Sequence, residues 1–281
     1  MYPILNIGPF TIGMYGVCCS VGIAMACLTA LSTGRRSNIH SYNLIICFAA
    51  TLIGGFLGAK LLYLIVDFRS ICEMFANRGV NMETISSVVQ GGFVFYGGFI
   101  GGLLGILILS RILKVSPVHF ISVIAPGVPL AHAFGRLGCF MAGCCYGFPS
   151  EKYGIAFTQS IGAPNGIKLF PVQLLEASLL LVLALIMQIF FLKSKHRHCN
   201  IYLYLFIYPL IRIFTERFRY DDAERGIYFG LSTSTWISIG IIAAGFILLI
   251  IDMKKCLPEP VTPEILTRNA FEDEDEEDET E

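Results

Sequence analysis

The chain has 281 residues, of which 55% are hydrophobic and only 15% are charged, and its formal net charge at pH 7 is -1. Soluble domains carry about 25% charged residues, so this composition excludes an ordinary soluble protein and indicates an integral membrane protein. The near-neutral charge gives no indication of a nucleic-acid partner, and none is expected.

Apolar stretches recur along most of the chain, and about 20 mostly apolar residues are enough for a helix to cross a bilayer. We therefore predict an all-α integral membrane protein, a bundle of about seven transmembrane helices. The predicted spans cover residues 10–31, 42–66, 91–113, 117–140, 171–192, 201–214 and 231–251. The first lacks the basic region and cleavage site of a signal peptide, so we expect it to be retained.

Basic residues predict the orientation of these spans. They are dense in the short loops after the first, third, fifth and seventh spans, where the sequence has Arg35 and Arg36, Arg111 and Lys114, Lys193, Lys195 and Arg197, and Lys254 and Lys255. Because such loops face the cytoplasm, we predict an N-terminus outside and a C-terminus in the cytoplasm. Residues 1–256 then form the transmembrane domain, and the proline-rich and acidic residues 257–281 form a disordered cytoplasmic tail.

Glycines separated by three or four residues mark the second and third spans, in "LIGGFLGAK" and "GGFVFYGGFIGGLLG". Small residues at this spacing make smooth helix faces on which a second helix can approach closely. The pattern predicts tight packing, with backbone that can come near a ligand.

Among the charged side chains within predicted spans or at their ends are Lys60, Arg136, Glu176, Arg212 and Glu216. Charges inside a membrane are costly and usually serve function. The predicted topology places all five in the outer half of the bundle. Two arginines and a lysine on one side predict a pocket for an anion, and the anion available in a bilayer is a phospholipid phosphate.

The stretch "GRLGCFMAGCCYG" surrounds Arg136 with Cys139, Cys144 and Cys145. These cysteines are compatible with a metal site, with a disulfide that leaves one thiol, or with tight packing in a glycine-rich turn. The spacing is not that of a common zinc motif and no fourth ligand is evident, so packing or a disulfide is favoured and no metal is expected.

Seven stretches share their order and spacing with one family: "IGPFTIGMYG", "GGFLGAKLLY", "GGFVFYGGFIGG", "GRLGCFMAGCCYG", "FPVQLLEA", "IRIFTERFR" and "GLSTSTWIS". Through them the chain resembles the bacterial phosphatidylglycerol:prolipoprotein diacylglyceryl transferases, over nearly its whole length up to the acidic tail. Together with the charge pattern, the resemblance implies catalytic roles for Arg136, Arg212, Tyr96, Glu176 and Glu216. It implies substrate-binding roles for Tyr15, Lys60, Gly98, Gly135, Gly138, Cys139, Gly143 and Gln173. No cofactor is implied.

The chain departs from the family pattern at the polar and acid–base positions. Cys139, Ala142 and Cys144 stand where the family signature has Asn, Asn and Glu, and Tyr96 stands where the third-helix motif has His. Tyrosine is a poor base at neutral pH. His132, one turn before Arg136, offers a substitute base, although an isolated histidine near a helix end is more often structural.

The resemblance implies transfer of diacylglyceryl from phosphatidylglycerol to the lipobox cysteine thiol of prolipoproteins, with release of glycerol phosphate. The implied partners are phosphatidylglycerol, prolipoprotein signal peptides and membrane lipids, and the implied location is the bacterial inner membrane. Two alternatives stay open. One is a divergent family member that acts on another thiol or in a redox step through its cysteine cluster, and the other is a non-enzymatic membrane carrier or metal-binding protein.

Overall fold

The structure, a computed structural model, describes residues 3–7, 10–90, 92, 94–160, 162–194, 196–220, 226–255 and 263–267. It is predominantly helical, as the composition predicts. The helices are α1 (Met14–Arg36), α2 (Ser41–Val66), α3 (Phe68–Arg78), α4 (Met82–Gln90), α5 (Phe95–Ile112), α6 (Val118–Ile124), α7 (Gly127–Ala142), α8 (Val172–Lys193), α9 (Asn200–Glu216), α10 (Thr233–Lys255) and the one-turn α11 (Glu264–Thr267).

Three short antiparallel hairpins complete the described secondary structure, together with a 3-10 turn at Arg197–Cys199. The hairpins pair β1 (Ile4–Ile7) with β2 (Phe10–Gly13), β3 (Ile155–Ala156) with β4 (Lys168–Leu169), and β5 (Ile227–Tyr228) with β6 (Leu231–Ser232). The described residues pack as two compact units: residues 3–37 with 121–255, and residues 38–120 with 263–267.

Four described helices are long and apolar enough to cross a membrane, namely α1, α2, α8 and residues 233–251 of α10. The pair α6 and α7 adds a fifth span if counted together, but it bends by 46° at a short break. Pro126 lies in that break, and proline cannot donate the backbone hydrogen bond that a continuous helix needs. These helices identify a membrane protein, while the count of seven spans stays a prediction.

Several predicted span boundaries are wrong. The first and last predicted spans each begin in a strand, because residues 10–13 form β2 and residues 231–232 form β6. Helices α3 and α4, between the second and third spans, were not predicted, since neither is apolar enough to register as a span. The sixth predicted span, residues 201–214, corresponds to α9, which has 17 residues and carries Pro209 in its interior.

In the first unit, α7 packs on α1 and α8, α8 packs on α9, and α9 packs on α10. Small residues bring α1 and α7 together: a Cβ on Gly22 would clash with Phe134, and a Cβ on Gly127 would crowd Ala26. The Thr33 hydroxyl donates to the Val123 carbonyl at 2.8 Å. This close packing fixes the position of α7, which carries Arg136.

In the second unit, α2 and α5 meet along their glycines, as the spacing predicts. A Cβ on Gly54 or Gly58 would clash with the backbone of Gly101 or Gly97. Helix α11 lies within the predicted tail, and its residue Leu266 is completely buried. The Leu266 carbonyl accepts hydrogen bonds from the His40 amide at 2.7 Å and from the Asn43 side chain at 3.2 Å. The division into residues 1–256 and 257–281 stays a prediction.

Candidate active site

The site is built around two polar side chains near the start of α8. Helix α8 begins at Val172, directly after Pro171, and most of its residues beyond Glu176 are apolar. Gln173 and Glu176 are three residues apart, so they lie on one face of the helix. Their exposed fractions are 1% and 2%. A carboxylate buried this deeply requires cationic or hydrogen-bonding partners.

Arginines from two other helices supply those partners. Arg136 Nε of α7 lies 3.1 Å from Glu176 Oε1, and Arg212 Nη1 of α9 lies 3.4 Å from Glu176 Oε2. Each oxygen of one carboxylate thus contacts a different guanidinium. The arginine side chains are 15% and 9% exposed, so solvent screens the interactions weakly.

The two contacts with Glu176 differ in quality. Arg212 donates a hydrogen bond to the carboxylate, whereas the N–H of Arg136 Nε is not aligned with Glu176 Oε1 and forms no hydrogen bond within the described residues. A guanidinium has five N–H donors. Arg136 therefore retains donors for a further anionic group.

Glu216 extends the ion-pair network by one turn of α9. Its Oε2 lies 2.9 Å from Arg212 Nη2, and hydroxyls of Ser232 and Ser234 contact it from the β5–β6 hairpin and the start of α10. A cavity of about 290 Å³ opens here; it is lined in part by Ile213, Glu216, Arg217, Leu231, Ser232 and Thr235. Glu216 therefore borders a small cavity that is otherwise lined largely by apolar surface.

Helix α7 ends in a turn that is fixed by its backbone. Gly143 has a φ of 73°, in the left-handed region, and the amides of Gly143 and Cys144 donate back to the carbonyls of Phe140 and Cys139. This is the hydrogen-bond pattern of a Schellman motif. Glycine is required at this position because a side chain would be strained and would also clash with Ser160.

The same turn gathers the three cysteines that follow Arg136. The sulfur atoms of Cys139, Cys144 and Cys145 all lie within 4.8 Å of one another, and all three thiols are free. Arg136 is within electrostatic reach of Cys139 and Cys145. The cysteine cluster, as we call these three residues, therefore adjoins the arginine and glutamate network.

The loop after the cysteine cluster is tied to the helices of the site. Gln173 Nε2 donates to the Cys144 carbonyl at 2.7 Å, which connects α8 to the turn. Phe148, Phe170 and Phe218 stack on one another with ring centroids 5.5 to 6.3 Å apart. The loop therefore contacts the start of α8 and the residues after α9, and it holds the turn against both arginine-bearing helices.

Two further predicted site residues of the first unit, Tyr15 and Gly138, lie at the contact between α1 and α7. A Cβ on Gly138 would lie 3.0 Å from the Tyr15 ring, so Gly138 permits that aromatic side chain to approach. Tyr15 also lies within electrostatic reach of Cys139. Gly135 faces open space. The structure brings Tyr15, Gly138, Gly143 and Gln173 near the cysteine cluster.

Three predicted site residues belong to the second unit. Lys60 donates to the carbonyls of Val88 and Val89 at 2.6 and 3.0 Å, at the end of α4, and its ammonium lies 4.5 Å from the Tyr63 ring centre. Gly98 lies on the face of α5 that contacts α2. Tyr96 is helical within α5, and its side chain lies outside the described part of the structure.

One feature near the site was not predicted from the sequence. Arg219, three residues after Glu216, is within electrostatic reach of both Glu216 and Cys145. His132, which the sequence offered as a substitute base, contacts the ring of Tyr208 edge-on with centroids 5.0 Å apart, near Arg136 and Arg212. The dense charges of "TERFR" are a signal that could have identified Arg219.

Residues 3–251 match the model of the family described as prolipoprotein diacylglyceryl transferase. The chain belongs to this family. It is 34% identical to phosphatidylglycerol–prolipoprotein diacylglyceryl transferase 2 of Clostridium perfringens over 242 residues, which cover 86% of this chain and 91% of that protein. It is 33% identical to phosphatidylglycerol–prolipoprotein diacylglyceryl transferase of Clostridium tetani, over 85% of this chain and 92% of that protein.

Membership of the prolipoprotein diacylglyceryl transferase family favours an enzyme over a membrane carrier. The match includes both arginine-bearing helices and the turn with the cysteine cluster. The polar network described above is therefore the candidate active site of a family member.

Proposed function

We propose that this chain transfers the diacylglyceryl group of phosphatidylglycerol to the cysteine thiol of prolipoproteins, the reaction that its relatives' names describe. The observation that carries the proposal is the convergence of Arg136 and Arg212 on Glu176, with all three side chains largely buried. Two guanidinium groups held this close together offer paired donors to a phosphate, in the fork geometry that arginine provides.

The reaction needs stabilisation of a departing phosphate. The acceptor sulfur attacks the glycerol carbon that bears the phosphate ester, a C–S bond forms, and the C–O bond breaks with its electron pair on the leaving oxygen. Glycerol phosphate leaves with more negative charge than the diester had. Arg136 and Arg212 stabilise that charge, and donors fixed before the reaction do so without reorganising.

Glu176 positions both arginines in this mechanism. Each of its oxygens contacts one guanidinium, while Glu216 contacts the other terminal nitrogen of Arg212, Nη2. The two arginines and two glutamates of the network balance one another's charge, so each of these buried charges has a counter-charge before substrate binds. Tyr96 completes the proposed set of catalytic residues, and Lys60 and Gly98 complete the proposed substrate-binding set.

The membrane arrangement is part of the proposal. Seven transmembrane helices in residues 1–256, with the N-terminus outside and the C-terminus in the cytoplasm, are supported by the dense basic loops on one side. The charged network then lies in the outer half of a bacterial inner membrane. There it reaches phosphatidylglycerol and the signal peptides of translocated precursors, while the acidic tail stays in the cytoplasm.

The test is transfer of labelled diacylglycerol from phosphatidylglycerol vesicles to a lipobox peptide by the purified chain. We expect Arg136→Ala and Arg212→Ala each to lower the rate by about 100-fold or more, since loss of one charge-stabilising donor has that effect. Arg69→Ala is the matched control, because Arg69 forms an exposed ion pair with Glu73. Wild-type rates in both site variants would refute the phosphate-binding role.

A further inference from the structure

The cysteine cluster has the geometry of a metal site with three ligands. Its sulfur atoms lie within 4.8 Å of one another. Zinc binds thiolates at about 2.3 Å, so tetrahedral coordination needs sulfur atoms about 3.8 Å apart. Shortening the distances between the sulfur atoms by about 1 Å at most gives the spacing of such a site.

The cluster is held in place by its surroundings. Cys145 has a φ of 58°, which a residue with a side chain rarely adopts. Such strain persists where neighbouring structure imposes it, and it concentrates at functional positions. Here the hydrogen bond from Gln173 to the Cys144 carbonyl and the left-handed Gly143 impose the turn.

Positive charge lies close to the cysteine cluster. Arg136 is within electrostatic reach of Cys139 and Cys145, and Arg219 is within electrostatic reach of Cys145. Three thiolates and one divalent cation carry a net charge of about -1. Arg136, one turn before Cys139, offsets that charge.

The chemistry of the proposed function supplies a reason for a metal at this position. The acceptor thiol must lose its proton, yet Tyr96 stands where the family has a histidine, and cysteines stand where it has polar residues. A thiol that coordinates a metal ion is deprotonated outright. Catalytic zinc sites commonly use three protein ligands and leave the fourth position open.

The fourth position of this cluster is accessible. All three cysteines are partly exposed, and among the described residues no histidine, aspartate, glutamate or further cysteine joins the group. Soft thiolate ligands select zinc or other thiophilic ions over magnesium or calcium. An incoming cysteine thiolate is a ligand of the same kind.

We propose that Cys139, Cys144 and Cys145 bind one thiophilic divalent cation, zinc in the first instance, and that the acceptor thiol of the prolipoprotein binds at its fourth position. This inference rests on the proposed function. The thiol releases its proton to solvent as the metal–sulfur bond forms. The sulfur then attacks the glycerol carbon, the metal–sulfur and C–O bonds break, and glycerol phosphate leaves between Arg136 and Arg212. No electron is transferred to or from the metal.

The first experiment measures the metal site without reference to activity. Purified full-length chain, reduced and freed of metal, is titrated with Co²⁺, whose charge-transfer and visible bands report tetrahedral thiolate ligation. We expect one Co²⁺ per chain, displaced by Zn²⁺, and binding weakened more than about 100-fold in Cys139→Ser and Cys145→Ser, because losing a ligand exceeds the effect of losing an outer partner. Cys72→Ser, which changes an exposed cysteine of α3, is the matched control.

A lipobox peptide then tests the open position. The peptide should change the Co²⁺ spectrum, and the same peptide with serine in place of cysteine should not. The proposed metal site would be overturned if Co²⁺ does not bind, or if two of the three cysteines form a disulfide that persists after treatment with a reductant. Binding with an unchanged spectrum would overturn the acceptor role.

The transfer assay separates this inference from the proposed function. We expect removal of the metal to abolish transfer, Zn²⁺ to restore it, and the combined Tyr96→His, Cys139→Asn, Ala142→Asn and Cys144→Glu variant to transfer without metal. Full transfer by the metal-free wild type would refute the metal while supporting the function. A peptide-sensitive Co²⁺ spectrum without transfer in any variant would support the site and refute the function.

Discussion

At the scale of single residues, Glu176 is the centre of the site because it is the most buried charge and has two cationic neighbours. Burying an ion pair gains little net stability, since desolvation offsets the attraction between the charges. Removing one partner is different, because it leaves the other charges buried without compensation. The carboxylate therefore holds together two groups that would otherwise repel each other.

We expect Glu176→Gln to destabilise the protein by about 3 to 5 kcal/mol and to lower transfer strongly, because Arg136 and Arg212 lose their shared counter-charge. Thermal unfolding in detergent and the transfer assay measure the two effects. Glu73→Gln, which alters an exposed ion pair, should change neither. An unchanged unfolding temperature in Glu176→Gln would show that the network does not hold the arginines.

The turn after α7 makes a second prediction at this scale. Gly143→Ala should destabilise the protein by more than Gly166→Ala, although both glycines have a positive φ of 73° and 82° respectively. The backbone penalty of about 1 to 2 kcal/mol is common to both. Only Gly143 adds a clash with Ser160 and a displacement of the cysteine cluster. Equal unfolding temperatures for the two variants would contradict this.

At the scale of secondary structure elements, the glycine faces of α2 and α5 determine how closely these helices approach. With no side chains between them, backbone meets backbone, which is how small residues stabilise helix pairs in lipid. Gly101 of α5 illustrates this, because a Cβ there would clash with the Gly54 carbonyl. Rigid backbone cannot yield as a flexible side chain would.

We accordingly expect Gly101→Ala to lower stability by about 1 to 3 kcal/mol through overpacking. Gly240→Ala is the control, because Gly240 lies in α10 with nothing within 4 Å of an added Cβ. That control should be neutral or slightly stabilising, since alanine favours helix. The measurement is the unfolding temperature of each purified variant in the same detergent, and a smaller loss for Gly101→Ala than for Gly240→Ala would contradict the packing.

Hydropathy determined which helices and strands could be predicted from the sequence. Helices α2 and α8 are continuous apolar runs, and their predicted bounds are within one residue of the observed ones. The bend between α6 and α7 was missed, although Pro126 signalled it, because the apolar composition continues across the break. The β1–β2 hairpin is apolar too, and composition alone cannot distinguish an apolar strand from the start of an apolar helix.

At the scale of the whole molecule, we expect different effects from changes in two parts of the predicted tail, residues 263–267 and residues 268–281. Deletion of residues 268–281 should leave stability and transfer unchanged, because a carboxylate run cannot bury apolar surface. Leu266→Asp should lower the unfolding temperature of the full chain, since it places a charge where the side chain is completely buried. Equal stability of the two variants would contradict the docking of α11.

The site could be predicted only in part. The cysteine cluster and Arg136 are near in sequence, so their proximity follows from one helix end. Arg212 and Glu176 are 36 residues apart on different helices, and only the charge pattern and the family resemblance associated them. That one carboxylate contacts both arginines depends on side-chain geometry, which no periodicity encodes.

The phenylalanine stack that anchors the loop has a consequence for protein engineering. The backbone of the turn is held from both sides, by Gln173 within the site and by Phe148, Phe170 and Phe218 beyond it. Side chains at positions 139 and 144 can therefore be exchanged while the scaffold keeps its shape. Amide, carboxylate, thiol or imidazole side chains can be introduced in this turn beside the two arginines, whose positions do not change. Saturation mutagenesis of the turn is therefore a way to search for new thiol-alkylating activities.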